Sequence, residues 1–254
     1  HQLYEPHSFD FTRFKHGMML ILWGFFKKLV IADRAYILIG AVEKDYAKFG
    51  GTTLTFTILL YALQLYADFS GGIDISRGVA QIFGIDMIDN FKRPYFSRSI
   101  NEYWRRWHIS LSSWFKDYIY IPLGGSRTTR AKHIRNIAVV WALTGFWHGA
   151  SWNFVAWGLY YFVLLMLEKT FLLKLLDKLP KLVAHVYTLI TVVFGWLLFV
   201  FTDFAAGMRY LAAMFGGGSA TGFINSGGVF DWTSSLSLLV ILVIASTPYP
   251  RKWL

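Results

Sequence analysis

The chain has 254 residues, enough for one sizeable domain. Hydrophobic residues make up 55% of it and charged residues 16%, against about 25% charged in ordinary soluble domains, so the composition excludes a typical water-soluble globule and points to a bilayer as solvent. The absence of cysteine excludes disulfides and thiolate catalysis, and the net charge of +10 reads as Lys and Arg gathered on cytoplasmic loops rather than as a nucleic-acid surface.

Eleven Trp and fourteen Tyr suit the headgroup belts of a membrane protein. The chain begins at His1 without a signal segment and ends directly after an apolar stretch, so it is expected to be part of a longer protein. Residues 1–15 are polar and aromatic and read as a loop or surface helix. Residues 17–31 are apolar apart from Lys27 and Lys28, short of the roughly 20 residues of a full span. The two lysines would snorkel to an interface. Asp33-Arg34 closes the segment and residues 35–42 are apolar again, which predicts a broken or tilted helix.

Residues 52–69 form a better span, with Gln64 and Asp68 near its C-terminal end. Ser70-Gly71-Gly72 predicts a break. A second helix follows over 73–83, where Asp74 and Arg77, three apart, share a face, and Gly84 stops it. Asp68 reads either as a helix-end residue that meets water or caps the next helix, or as a polar group in an intramembrane cavity.

Residues 85–136 are the polar centre, with ten Lys and Arg residues from Lys92 to Arg135, and are the best candidate for a cytoplasmic face. Ser99-Ile100-Asn101-Glu102 fits a capping box, so a helix is predicted over 99–121, stopped by Pro122 and Gly124-Gly125. Trp104, Trp107, Leu111, Trp114 and Tyr118 recur at three- and four-residue steps and give it one aromatic face. Such an amphipathic helix would lie in the membrane interface or line an entrance to the bundle.

Residues 137–147 are apolar. Eleven residues at about 1.5 Å each reach about 16 Å, half of a hydrocarbon core of about 30 Å. Gly149 is placed to end this helix and Ser151 to cap a new one from Trp152. If the run enters the membrane at Asn136, His148 sits near mid-depth, where a broken backbone is tolerated only inside protein or along a cavity. A helix continuous through Gly149 would put His148 near the middle of a long span instead. Residues 152–167 are apolar and Glu168-Lys169 ends them, 171–182 read as an amphipathic linker, and 182–202 are the clearest transmembrane run. Residues 207–228 are a Gly- and Ser-rich loop, and 236–245 start a last span.

Of seven histidines, His1, His7, His16 and His133 lie in polar or boundary sequence and are expected in water, and His185 at a span end is expected at the interface. His108 and His148 each follow a Trp in helix-like, apolar-rich settings. An ionisable side chain at bilayer depth is a functional-site hypothesis, and a neutral imidazole is a competent general base. The alternative is a satisfied core histidine. No H-x-x-H spacing, G-x-S-x-G elbow or P-loop is present, which argues against a metal site, a serine triad or a nucleotide site.

Several stretches resemble the membrane-bound O-acyltransferase family. They are Tyr66-Ala67-Asp68-Phe69-Ser70-Gly71, Asn90-Phe91-Lys92-Arg93-Pro94-Tyr95, Trp104-Arg105-Arg106-Trp107-His108-Ile109-Ser110-Leu111, the run from Asp117 through Pro122 to Gly125, and Phe146-Trp147-His148-Gly149-Ala150. Their order is similar to the branch holding alginate and peptidoglycan O-acetylation proteins, with teichoic acid D-alanyl transfer as a cousin. The motif core is 66–168, and residues 9–34 share the likeness. The resemblance implies an all-α, polytopic transmembrane bundle around a tunnel. Broken or re-entrant helices and an interfacial helix belong to it, and this chain would be the C-terminal part of that single domain, inactive alone.

The resemblance further implies that His148 is the essential histidine and His108 its second one. The acyl donor would be a thioester, acetyl-CoA or an acylated carrier, with no cofactor held. The acceptor would be an extracytoplasmic polysaccharide or a partner acetyltransferase, and the location the plasma membrane. His148 would deprotonate the attacking hydroxyl, and His108 would orient the acceptor or stabilise the oxyanion. Arg93, Arg98, Arg105 and Arg106 would hold donor phosphates, or else contact lipid headgroups. Asp68 and Asn101 are secondary site candidates. A transporter without chemistry is the rival from another class.

Overall fold

The computed structural model describes residues 2–217 and 222–224, with isolated positions between 230 and 244. The span expected at 236–245 falls largely outside the described residues. Among the described residues the chain is helical, with one isolated antiparallel bridge, Phe91 to Trp107, and it divides into two compact units.

The first unit comprises residues up to Ile88 and those from Arg209 onward. Asp10 accepts a hydrogen bond from the Arg13 backbone N–H at 2.8 Å and starts α1, Phe11–Phe25. Asp33-Arg34 does not close this segment. The chain passes through a π-helical turn, Phe26–Ala32, straight into α2, Asp33–Lys44. A wide turn of this kind holds one extra residue and re-aims side chains, often at functional sites. Here Lys27 meets Ser70 Oγ at 2.9 Å and Asp74 Oδ2 at 2.5 Å. Lys28 meets Asp33 at 2.8 Å and Asp68 at 2.9 Å. Lys27 therefore does not snorkel. It is 6% exposed, in a buried ion pair.

The break expected at Ser70-Gly71-Gly72 is absent, and α3 runs unbroken over Gly51–Ile82. A Cβ on Gly71 would come within 2.9 Å of the Gly24 carbonyl oxygen, and one on Gly78 within 2.5 Å of that of Gly17. The glycines let the antiparallel α1 and α3 backbones touch at two levels, the small-residue contact typical of membrane helices. The intrahelical ladder survives, so the glycines serve packing rather than termination. Gly84, at φ +82°, does end the segment, and Asp74 is shared between Lys27 and Arg77, the latter at 3.8 Å. The N-terminus of α3 is capped by backbone, with the Gly51 and Thr52 N–H groups donating to the Gly222 and Phe223 carbonyls at 3.1 and 2.9 Å.

The second unit comprises Asp89–Met208. Ser99 starts α4, Ile100–Arg106, accepting from the Glu102 N–H at 3.0 Å, as the capping box predicts. The helix does not reach 121. It stops at Trp107-His108, where His108 adopts the left-handed conformation at φ 47°, and α5, Ile109–Phe115, restarts and ends in a second π turn, Lys116–Tyr120. The expected single aromatic face is thereby split. Trp104 and Trp107 turn into the interior, whereas Trp114 and Tyr118 are exposed.

The break predicted after the apolar run is present. α6, Arg130–His148, ends at Gly149, and α7 starts at Trp152, preceded by Ser151 in extended conformation. α6 begins seven residues earlier than the apolar run, so its 19 residues reach about 28 Å. Asn136, fully buried, ties its start to the Leu123 and Gly125 carbonyls at 3.0 and 3.1 Å. α6 and α7 form a tight hairpin. A Cβ on Gly145 would approach the Phe154 carbonyl oxygen to 2.5 Å, and one on Gly158 would overlap that of Trp141.

α7, Trp152–Leu167, ends at Glu168-Lys169 as expected, but the helical path does not stop there. A third π turn, Glu168–Leu172, carries it into the short α8, Leu173–Leu176. The run at 182–202 is α9, Lys181–Val200, with mean hydropathy 2.1. Among the described residues it is the one helix long and apolar enough by itself to cross a membrane. α3 is long enough, but Asp68, Asp74 and Arg77 lower its apolarity. The loop expected from 207 is helical at first, as α10, Phe204–Met214, started by the Asp203 carboxylate at 2.9 Å from the Ala205 N–H. Its Tyr210 donates to the Leu54 carbonyl at 2.9 Å within the first unit, and the remainder of that loop lies largely outside the described residues.

Candidate active site

The break at His108 is made by a distant residue. Asn90 precedes the short bridge in which Lys92 N–H donates to the Arg106 carbonyl at 3.0 Å and Ile109 N–H to the Asn90 carbonyl at 3.1 Å. Its side-chain Oδ1 accepts from the Ser110 N–H at 3.0 Å and the Ser110 hydroxyl at 2.6 Å, and lies 3.2 Å from His108 Nδ1. The Ser110 backbone N–H can only donate, so the atom facing it is the amide oxygen. His108 Nδ1 then carries the proton and donates, which leaves Nε2 as an acceptor in the neutral ring.

His148 is the last residue of α6, at the apex of the α6–α7 hairpin. Aromatic rings surround it: Trp147 at 4.8 Å, Trp157 at 5.0 Å, Phe199 at 5.1 Å and Phe154 at 6.1 Å between ring centroids. Neither ring nitrogen is hydrogen-bonded within the described residues, and the ring is only partly buried. His108 packs edge-on to Trp147 at 6.2 Å, and the same indole lies 4.8 Å from His148, so one ring touches both histidines. Asn153, at the start of α7, donates to the Phe199 carbonyl at 3.2 Å and ties the end of α9 beside His148. Trp104, Trp141, Trp157 and Tyr161 build the interior behind, with Trp104 and Tyr161 4.8 Å apart and edge-on.

The other sequence candidates are dispersed. Asp68 lies in the first unit, paired with Lys28. Asn101 lines a cavity of about 250 Å³ with Ser112, Lys116, Tyr120 and Lys169. Burial, and then the neighbouring Arg105 charge, holds Lys169 below the usual lysine range. Its Nζ sits 3.0 Å from His133 Nε2. Arg98 lines a separate groove with Glu102, Asp177 and Lys181. Arg106 pairs with Glu102 at 2.5 Å, and Arg93 and Arg105 are exposed. Of the remaining histidines, His7 and His16 are exposed, and His185 Nδ1 is held 3.0 Å from the Ser97 carbonyl.

Sequence reasoning passed over three residues. Glu168, 1% exposed, accepts from the Ile100 and Asn101 N–H groups at 2.6 and 2.9 Å and from the Tyr187 hydroxyl at 3.3 Å, and so fixes the start of the helix that leads to His108. Nothing in the local sequence pointed to a partner 67 residues away. Asn90 opens the Asn90–Tyr95 motif, which by itself suggests no role for it, and Asn153 follows His148 by five residues as the only amide of α7, the one weak signal available.

The chain belongs to the membrane-bound O-acyltransferase family, whose model matches residues 5–211. Among its relatives, the probable alginate O-acetylase AlgI of Azotobacter vinelandii is 36% identical over 245 residues, 95% of this chain and 48% of that protein. The peptidoglycan O-acetyltransferase of Helicobacter pylori is 36% identical over 211 residues, 79% of this chain and 38% of that protein. The teichoic acid D-alanyltransferase of Bacillus subtilis is 33% identical over 159 residues, 59% of this chain and 40% of that protein. The chain thus spans about half the length, or less, of these relatives.

Proposed function

We propose that the chain carries the acyl-transfer centre of a multi-pass O-acyltransferase of the plasma membrane. It moves an acetyl group from a cytoplasmic thioester, acetyl-CoA or another acyl thioester, towards hydroxyls of an exported polysaccharide or a partner acetyltransferase. The observation that carries this reading is His148 at a helix break, its ring nitrogens without a hydrogen bond among the described residues, with His108 against the same Trp147 ring. The names of the alginate and peptidoglycan relatives support an acetyl group and a glycan acceptor. The broken α6–α7 hairpin and the turn at His108 would form part of a tunnel wall, since irregular backbone at membrane depth belongs inside protein or along a cavity.

His148 takes the proton of the acceptor hydroxyl as its oxygen bonds to the thioester carbonyl carbon. The carbon–sulfur bond then breaks, the acyl group stays on the new oxygen, and the proton passes from His148 to the departing thiolate. His108, held at Nδ1 by Asn90, orients the attacking hydroxyl or stabilises the oxyanion. Arg93, Arg98 and Arg105 hold donor phosphates, and Asn101 contributes from its lysine-lined cavity.

The test is purified full-length protein given labelled acetyl-CoA and a polysaccharide acceptor. His148→Ala abolishes transfer while the protein stays folded, and full transfer by that variant would sink the assignment. Consumption of a D-alanyl carrier protein in place of acetyl-CoA would move the donor to the class named in the Bacillus subtilis relative. No consumption of any thioester would favour transport without chemistry.

A further inference from the structure

A general base that becomes an imidazolium usually leans on a carboxylate. Among the described residues no carboxylate is hydrogen-bonded or ion-paired to His148. Three aromatic rings stand there instead. Trp147, Trp157 and Phe199 lie 4.8, 5.0 and 5.1 Å from the imidazole centroid, at 73°, 82° and 86° to its plane. In an edge-to-face pair one ring presents its face to the edge of the other, and a neighbour that gives its face to the imidazole edge meets the N–H groups there. Ring faces are negative, and a cation within about 6 Å of a face centroid is attracted to it.

We propose that Trp157 and Phe199 give their ring faces to His148 and stabilise the imidazolium that it becomes when it takes the acceptor proton, the role a carboxylate plays in a triad. This rests on the reading of His148 as the base. Both rings are fixed independently of the histidine's own turn. Trp157 is 1% exposed on α7, and Phe199 is tethered through its carbonyl by Asn153. The same packing that confines the ring thus supplies the countercharge, and no buried carboxylate has to be desolvated beside the acyl donor.

The test replaces Phe199 with phenylalanines bearing one, two and three ring fluorines, and Trp157 with mono- and difluorotryptophan, by nonsense suppression in the full-length protein. Fluorine withdraws charge from the ring face and barely alters its shape. The expected result is a stepwise fall in kcat at one or both positions, reaching about tenfold, or about 1.4 kcal/mol, with KM for the thioester and thermal stability unchanged. A flat series at both positions, or a rise, overturns the proposal. His148→Ala runs alongside. If it keeps full activity, the base assignment itself fails, whereas an inactive His148→Ala with flat fluorine series removes only the aromatic stabilisation.

Discussion

Glu168 reaches from the end of α7 to the start of α4 and offers the sharpest test of how the site is held. Replacing it with Ala removes two charge-assisted hydrogen bonds to backbone N–H groups, at 2.6 and 2.9 Å, and a longer one from Tyr187. Bonds to charged acceptors contribute about 1.5–3 kcal/mol each, so the gross loss is about 3–6 kcal/mol. Burying the carboxylate opposes this, because desolvation costs several kcal/mol. Ser99 still satisfies the Glu102 N–H. The net expectation is a destabilisation of about 2–4 kcal/mol for Glu168→Ala, worked from these opposing contributions. Glu168→Gln keeps one acceptor oxygen but sets an amide N–H against a backbone N–H, and should cost about 1–2 kcal/mol. Thermal unfolding of the detergent-purified full-length protein, followed by tryptophan fluorescence, reads this as a drop of about 2–4 °C for Ala. Acyl transfer should fall with it at permissive temperature, because α4 leads directly into Trp107 and His108. A Glu168→Ala protein with unchanged melting and unchanged transfer would refute the idea that this carboxylate positions α4.

Lys27→Met should destabilise the first unit by about 1–3 kcal/mol, since it leaves the partly buried Asp74 carboxylate with only the longer Arg77 contact. Lys27→Met with Asp74→Leu should recover most of that in the same melting assay, and a double variant no better than the single one would deny the pairing. Asn90→Leu removes the acceptor of Ser110 and His108, so kcat should fall by about 100-fold, the effect of misplacing a catalytic group by about 1 Å. Asn90→Asp keeps the acceptor and should restore most of the rate. Wild-type kcat in Asn90→Leu would show that His108 does not depend on this bond.

The break at His148 was legible because its signals are local. An apolar run, a glycine and a serine lie within fifteen residues, and the structure ends and restarts the helix there. The break at His108 was not legible. Trp107-His108-Ile109 contains no Gly or Pro, and the left-handed turn is imposed by Asn90, eighteen residues upstream. Ser70-Gly71-Gly72 misled for the opposite reason. Glycine punctuates helices where water competes for the backbone, but against another helix it permits contact and the ladder continues. The aromatic face of 99–121 failed with the helix, since its period holds only while the backbone is unbroken. The pairing of His108 with His148 came from the resemblance rather than from spacing. The aromatic ring set around His148 was invisible because Phe199 arrives from a helix fifty residues away.

Among the described residues three helices contain a wide π turn, at Phe26–Ala32, Lys116–Tyr120 and Glu168–Leu172. In an ordinary helix, removing one residue rotates everything beyond it by about 100° and ruins the buried face. A π turn already holds one surplus residue, so deletion there closes it to a normal turn and leaves the downstream helix in phase. These turns are accordingly the places where chain length can change by one at low cost to packing. What would change is aim: Lys27 would swing away from Asp74, and Glu168 from the Ile100 and Asn101 amides. At these points a length change between related proteins would signal a retargeted side chain and leave the fold as it was.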